Sequence, residues 1–89
     1  MNTYAGIDIG TNTILMTIAK GTSPSEFVVL DDVLSIARLG EDVDKTGLIS
    51  ASAIKRAELI LKDYAQIMNK HKVDTALSVC TSSMRLAKN

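Results

Sequence analysis

Residues 6–20 read GIDIGTNTILMTIAK, two apolar runs flanking the polar stretch Gly10-Thr11-Asn12-Thr13, with one acid, Asp8, inside the first run. Alternation in steps of two marks both runs as β-strands. Along TYAGIDI (3–9), Ala5, Ile7 and Ile9 share one face and Asp8 lies on the other. Along TILMTIAK (13–20), Ile14, Met16 and Ile18 face one way, and Leu15, Thr17 and Ala19 the other. The gap of about four residues is short enough for a hairpin. A carboxylate buried in an apolar strand costs several kcal/mol without compensation, so Asp8 calls for a physical reason.

Outward from this hairpin, GTSPSE (21–26) is a turn cluster holding the only proline, Pro24. FVVLDDVLSIARL (27–39) reads as a third, longer strand bent at Asp31-Asp32. The polar loop GEDVDKTG (40–47) leads to Ser50, the expected N-cap of a helix of about 20 residues. Its buried stripe is read as Ile54, Ala57, Leu61, Tyr64, Ala65 and Met68. Lys55, Glu58, Lys62, Asp63 and Lys70 take the opposite side, with Glu58 and Lys62 in the favourable i,i+4 order. Lys70, His71 and Lys72 complement the helix dipole at its C-terminal end. VDTALSV (73–79) is a fourth strand, and TSSMRLAKN (81–89) opens a second helix capped by Thr81 or Ser82. The order is β-β-β-α-β-α, with a parallel crossover between the third and fourth strands. Strands apolar on both faces imply a sheet covered on both sides, whereas one long helix covers only one. The expectation is therefore that residues 1–89 are the front portion of a larger α/β domain, incomplete at the C-terminus.

Ten basic and ten acidic residues cancel, and aromatics make up 3% with no tryptophan. Neither a bulk field for nucleic acid nor a base-stacking platform is present. No run reaches the ~18 apolar residues of a membrane span, and no basic region precedes the first apolar stretch to make a signal peptide. The single Cys80 fits a reducing, cytoplasmic setting and reads as a small hydrophobe. Met16, Met68 and Met84 read as core filler, and His71 as a charge on the helix end.

Asp8 and its turn admit two readings. The acid caps the turn through its own backbone, or it holds a hard cation such as Mg²⁺, which takes one or two carboxylates and fills its shell with water and phosphate oxygens. In the second reading Gly10 lets backbone amides approach an anion, and Thr11, Asn12 and Thr13 add short donors. The stretch from Asp42 partly imitates a calcium loop, but Ala53 stands where the bidentate glutamate belongs.

IDIGTNTILMTIA resembles the first phosphate-binding motif of the actin-like ATPase superfamily, whose ribonuclease-H-like domains open β-β-β-α-β-α. Arg38-Leu39-Gly40-Glu41, Thr46-Gly47-Leu48-Ile49-Ser50 and Thr81-Ser82-Ser83-Met84-Arg85-Leu86-Ala87-Lys88-Asn89 are similar, in that order, to motifs of the exopolyphosphatase/guanosine pentaphosphate phosphohydrolase (Ppx/GppA) family. The resemblance implies a mixed-sheet actin-like ATPase domain in which Asp8 places a divalent ion, Mg²⁺ or an equivalent. It makes Gly10, Thr11, Asn12 and Thr13 the phosphate loop, and Arg85 a phosphate and transition-state contact; for Arg38 a structural ion pair is an equal alternative. It further implies Mg²⁺-assisted hydrolysis of a terminal phosphoanhydride of inorganic polyphosphate or guanosine pentaphosphate by a full-length, homodimeric, cytoplasmic protein whose partners are polyphosphate or guanosine penta- or tetraphosphate. The family's catalytic glutamate, Gly-rich second motif and second domain would lie beyond Asn89, so the chain alone is expected to be inactive. A superfamily kinase using ATP, and a non-enzymatic piece that pairs with itself, are the alternatives.

Overall fold

The computed structural model describes residues 2–23, 25–41 and 43–80. Three strands come first: β1 (Asn2–Ile9), β2 (Thr13–Ser23) and β3 (Glu26–Ile36). A single-turn helix α1 (Val43–Thr46) and the long helix α2 (Ala51–Lys70) follow, and β4 (Thr75–Cys80) closes the order. The second helix read from the sequence falls at 81–89, outside the described residues, as does Arg85.

The sheet runs β3-β2-β1-β4, with β1–β2 and β2–β3 antiparallel and β1–β4 parallel. β3 therefore points the same way as β4, and α2 carries the chain across β2 and β1 between them. This is the expected parallel crossover, reached over two intervening strands. The turn cluster at 21–26 is tighter than read from the sequence, because β2 continues to Ser23, which pairs with Glu26. The bend in β3 comes one residue early. Ile18 pairs with Asp31 and Ala19 with Val29, so Leu30 is the extra residue of a bulge. The loop at 40–47 is not wholly irregular, since α1 lies inside it.

Alternation decides the faces. Thr3, Ala5 and Ile7 of β1 and Ile14, Met16 and Ile18 of β2 are buried beneath α2. The helix begins where expected, Ser50 Oγ accepting from the Ala53 N–H at 3.1 Å. Its inner stripe differs from the expected one. Ala53 and Tyr64 are buried and Ala57, Ile60, Leu61, Ile67 and Met68 partly so, while Ile54 is 39% exposed and Ala65 is exposed. The stripe is rotated toward Ala53 and Ile60 because polar tethers fix how the helix lies on the sheet.

Three tethers do so. Near its start, Arg56 Nε donates to Ala37 O at 2.8 Å. In the middle, the buried Tyr64 hydroxyl donates to Ile14 O at 2.6 Å and lies 2.9 Å from Ser35 Oγ. At the end, His71 Nε2 sits 3.3 Å from Asp31 Oδ2, so His71 makes a tertiary contact beyond its place at the dipole. Asp74 then pins the entry to β4, accepting from Thr3 N and donating its own N–H to Thr3 O, both at 2.8 Å.

The opposite face is open. Cross-strand register puts Leu77 and Val79 of β4, Gly6 and Asp8 of β1, Leu15 and Thr17 of β2, and Asp32 and Leu34 of β3 side by side on it. Leu77 is 71% exposed and Leu34 61%. The expectation of strands apolar on both faces with one helix covering only one is met. Cys80 is exposed rather than packed as the small hydrophobe expected from the sequence. Among the described residues, no helix is long and apolar enough to cross a membrane.

Candidate functional site

β1 carries Asp8 to the end of the sheet where the first hairpin turns. The strand's alternation puts its carboxylate on the open face, where it is exposed. The burial cost inferred from the sequence is thus not incurred in this chain: the acid keeps water on one side and apolar neighbours on the other. It lines a shallow cavity of about 290 Å³ with Gly6, Leu15, Thr17, Leu77 and Val79. Beside it, Thr17 Oγ1 donates to Asp32 Oδ1 at 3.0 Å, so that second acid on the face already has a partner.

Ile9 pairs with Ile14, and Gly10, Thr11 and Asn12 make the turn between the strands. Gly10 N–H donates to Thr13 O at 2.8 Å, a closure so tight that an added β-carbon at Gly10 would lie 2.9 Å from that oxygen. Two carbonyls of the turn are bound from behind. Asn12 O accepts from the N–H groups of Ala37 and Arg38 at 3.0 and 2.9 Å, and Thr11 O accepts from Gly40 N–H at 2.9 Å. The N–H groups of Thr11 and Asn12 have no acceptor among the described residues. Carbonyls held inward and amides left free form a donor-rich turn of the kind that accepts an anion. Both side chains are exposed and Thr13 is half-buried, adding hydroxyl and amide donors.

The structure brings Asp8, Gly10, Thr11, Asn12 and Thr13 to one end of the sheet. Of these five residues only Asp8 carries a carboxylate that a cation could use. Among the described residues no three His, Cys, Asp or Glu cluster as a cage, and Mg²⁺ asks for only one or two carboxylates alongside water and phosphate oxygens.

Arg38 has an exposed side chain with no acid at ion-pair distance among the described residues; one ion pair of this segment joins Arg56 Nη2 to Glu41 Oε2 at 2.7 Å. Arg38 instead adopts φ 51, the left-handed region that side chains disfavour. Sequence reasoning passed over Arg56 and Gly40. The signal that could have found Gly40 is the Arg-Leu-Gly-Glu motif, whose glycine marks a close approach; Arg56 had no signal of its own, since the Glu41 it pairs with is exposed. A β-carbon at Gly40 would lie 2.3 Å from Thr11 Cγ2.

The sequence matches the Ppx/GppA phosphatase family over residues 17–89. The chain belongs to this family. It is 37% identical over 84 residues to Exopolyphosphatase 2 of Mycobacterium tuberculosis, the alignment covering 91% of this chain and 26% of that protein. It is 34% identical over 91 residues to the bifunctional 3-dehydroquinate synthase/phosphatase of Fusobacterium nucleatum, covering 96% of this chain and 14% of that protein. The crystal structure of the Aquifex aeolicus Ppx/GppA phosphatase superposes with a TM-score of 0.93 at 29% identity, over 100% of this chain and 29% of that one. The chain thus spans about a quarter of the length of the Mycobacterium tuberculosis relative, and its mixed sheet and long helix are those of the Ppx/GppA actin-like ATPase domain.

Proposed function

We propose that the chain supplies the first phosphate loop and the metal-side acid of a Ppx/GppA active site that hydrolyses a terminal phosphoanhydride. The observation that carries this reading is the turn with the Thr11 and Asn12 carbonyls bound inward and their N–H groups without an acceptor among the described residues, next to an exposed Asp8. Phosphoryl transfer is catalysed mainly by positioning and charge stabilisation, and a fixed set of amide donors does both. Asp8 would hold Mg²⁺, which when bound neutralises charge on the phosphate oxygens. Thr11, Asn12 and Thr13 would orient the terminal phosphate, and Arg85 would contact it from 81–89. Water attacks the terminal phosphorus, the bridging P–O bond breaks, and phosphate and a shortened chain leave. None of the acids here is assigned to activate that water, so the chain alone is proposed to be inactive. Inorganic polyphosphate is the favoured substrate, supported by the name of the Mycobacterium tuberculosis relative; guanosine pentaphosphate is the second. Membership in a phosphatase family supports hydrolysis over the kinase alternative. A cytoplasmic, homodimeric full-length enzyme belongs to the same proposal and rests on the resemblance.

The test is a chimera in which this chain replaces the matching quarter of the Mycobacterium tuberculosis protein. A chimera that melts cooperatively should release phosphate from polyphosphate with Mg²⁺, and Asp8→Asn should lower kcat about 10–100-fold, as loss of a metal-positioning group does. A folded chimera without activity, or one indifferent to Asp8→Asn, refutes the assignment.

A further inference from the structure

We propose that Arg56, on α2, is a positioning residue for the free amides of the hairpin, acting through the segment Ala37–Glu41. The inference rests on the phosphate reading above and adds a residue to it.

The connection is a chain of hydrogen bonds. Arg56 Nε donates to Ala37 O at 2.8 Å, and its Nη2 reaches Arg38 O at 3.4 Å and Glu41 Oε2 at 2.7 Å. The N–H groups of that same segment, at Ala37, Arg38 and Gly40, hold the carbonyls of Asn12 and Thr11. One guanidinium thus holds the carbonyl of the Ala37–Arg38 peptide, whose own N–H holds Asn12 O, and the carbonyl of the peptide that follows it. Arg38, at the centre of this relay, has φ 51. A side chain persists in the left-handed region only where its surroundings determine it, and Arg56 donates to the carbonyls of both Ala37 and Arg38. Arg38 O is also held by Glu41 N–H at 3.2 Å, so without Arg56 it is the Ala37–Arg38 peptide that loses its hold and can turn its N–H away from Asn12 O. That carbonyl would then be able to rotate outward, where it repels an anion. The planar fork of arginine suits three acceptors at once; a lysine ammonium offers a point charge on a flexible stem.

The experiment compares the full chain with Arg56→Ala, Arg56→Lys, Glu41→Gln and His71→Ala, the last removing the tether at the far end of α2. Two readouts are taken by amide NMR: hydrogen exchange at Ala37, Arg38 and Gly40 without ligand, and titration with Mg²⁺-tripolyphosphate followed at Thr11 and Asn12. Arg56→Ala should speed exchange, most at Arg38, and weaken tripolyphosphate binding about tenfold or more, the scale of lost charge-assisted hydrogen bonds. Arg56→Lys should recover only part of this. Glu41→Gln, which keeps the bonds to Ala37 O and Arg38 O, should lose less than Arg56→Ala. His71→Ala should lower stability and leave the affinity of the folded chain unchanged. Undiminished affinity in folded Arg56→Ala, or an equal loss in His71→Ala, overturns the role of Arg56 and leaves the phosphate reading standing. A parent chain whose Thr11 and Asn12 amides do not respond to tripolyphosphate overturns the phosphate reading itself, and this role with it.

Discussion

Gly40→Ala tests whether the hairpin and the segment behind it act as one unit. A β-carbon at residue 40 would sit 2.3 Å from Thr11 Cγ2, with the next atoms, Thr11 O and Cβ, at ordinary distances of 3.5 and 3.6 Å. Carbon atoms in contact rest at about 3.5–4.0 Å, so the overlap exceeds 1 Å and falls on a single methyl group. The backbone at 40 cannot retreat without stretching its 2.9 Å bond to Thr11 O. Relief has to come from Thr11, whose β-branched side chain has few rotamers to choose from, and rotation re-aims its hydroxyl. Overpacking of this kind costs about 1–3 kcal/mol. At about 2 kcal/mol, Tm falls by roughly 8–16 °C in a chain of this size.

Circular dichroism melts of Gly40→Ala, Thr11→Ser and the double variant measure the effect. Thr11→Ser deletes the offending methyl and keeps the hydroxyl, so the double variant should recover most of the loss. Gly6→Ala is the internal control, because a β-carbon there has nothing within 4 Å; it should be neutral or stabilising by up to about 1 kcal/mol. The reasoning is refuted if Gly40→Ala lies within about 0.5 kcal/mol of the parent, the range of an uninvolved surface change. A Gly40→Ala loss of the same size with and without the Thr11 methyl would refute it equally.

Two further predictions concern the helix and the open face. The Tyr64 hydroxyl has one proton and two oxygen neighbours, so with that proton given to Ile14 O, Ser35 donates to it; Tyr64→Phe should cost about 1–2 kcal/mol and Ser35→Ala less, by chemical denaturation. An unchanged midpoint in Tyr64→Phe would mean the hydroxyl is not holding α2. Leu34, Ile36, Leu77 and Val79 are all more than half exposed, so the chain should sediment as a concentration-dependent oligomer, shifted toward monomer by Leu77→Lys. A monomer at every concentration would show that the open face does not drive association.

Most of the fold was legible because it follows from periodicity. Step-two alternation in β1 and β2 assigned each residue to its face, and Ser50 announced the start of α2. The stripe on α2 was harder. Ile54 is the more apolar choice and Ala53 the poorer one, yet Ala53 is buried and Ile54 is not. Apolar spacing allows several rotations of a helix about its axis, and the choice is made by groups that hydropathy ranks as surface: the guanidinium of Arg56, the hydroxyl of Tyr64 and the imidazole of His71. The bulge at Leu30 is similar, since it depends on how β2 and β3 pair rather than on either strand alone.

The site divides along the same line. That small polar residues beside Asp8 form a turn was visible in the sequence, because Gly-Thr-Asn-Thr between two strands leaves little else for the chain to do. Which way the peptide groups of that turn point was not visible. Orientation is set by Ala37, Arg38 and Gly40, more than twenty residues away, through backbone atoms that carry no side-chain signature. A turn whose carbonyls faced outward would have the same sequence and would repel phosphate. The difference between a plain hairpin and an anion-binding one therefore lies in the segment behind it, and the strained φ of Arg38 is the local cost of holding that segment in place. For the same reason a substitution at Arg56 or Gly40, neither of which need touch a ligand, should affect phosphate binding as strongly as one at Thr11.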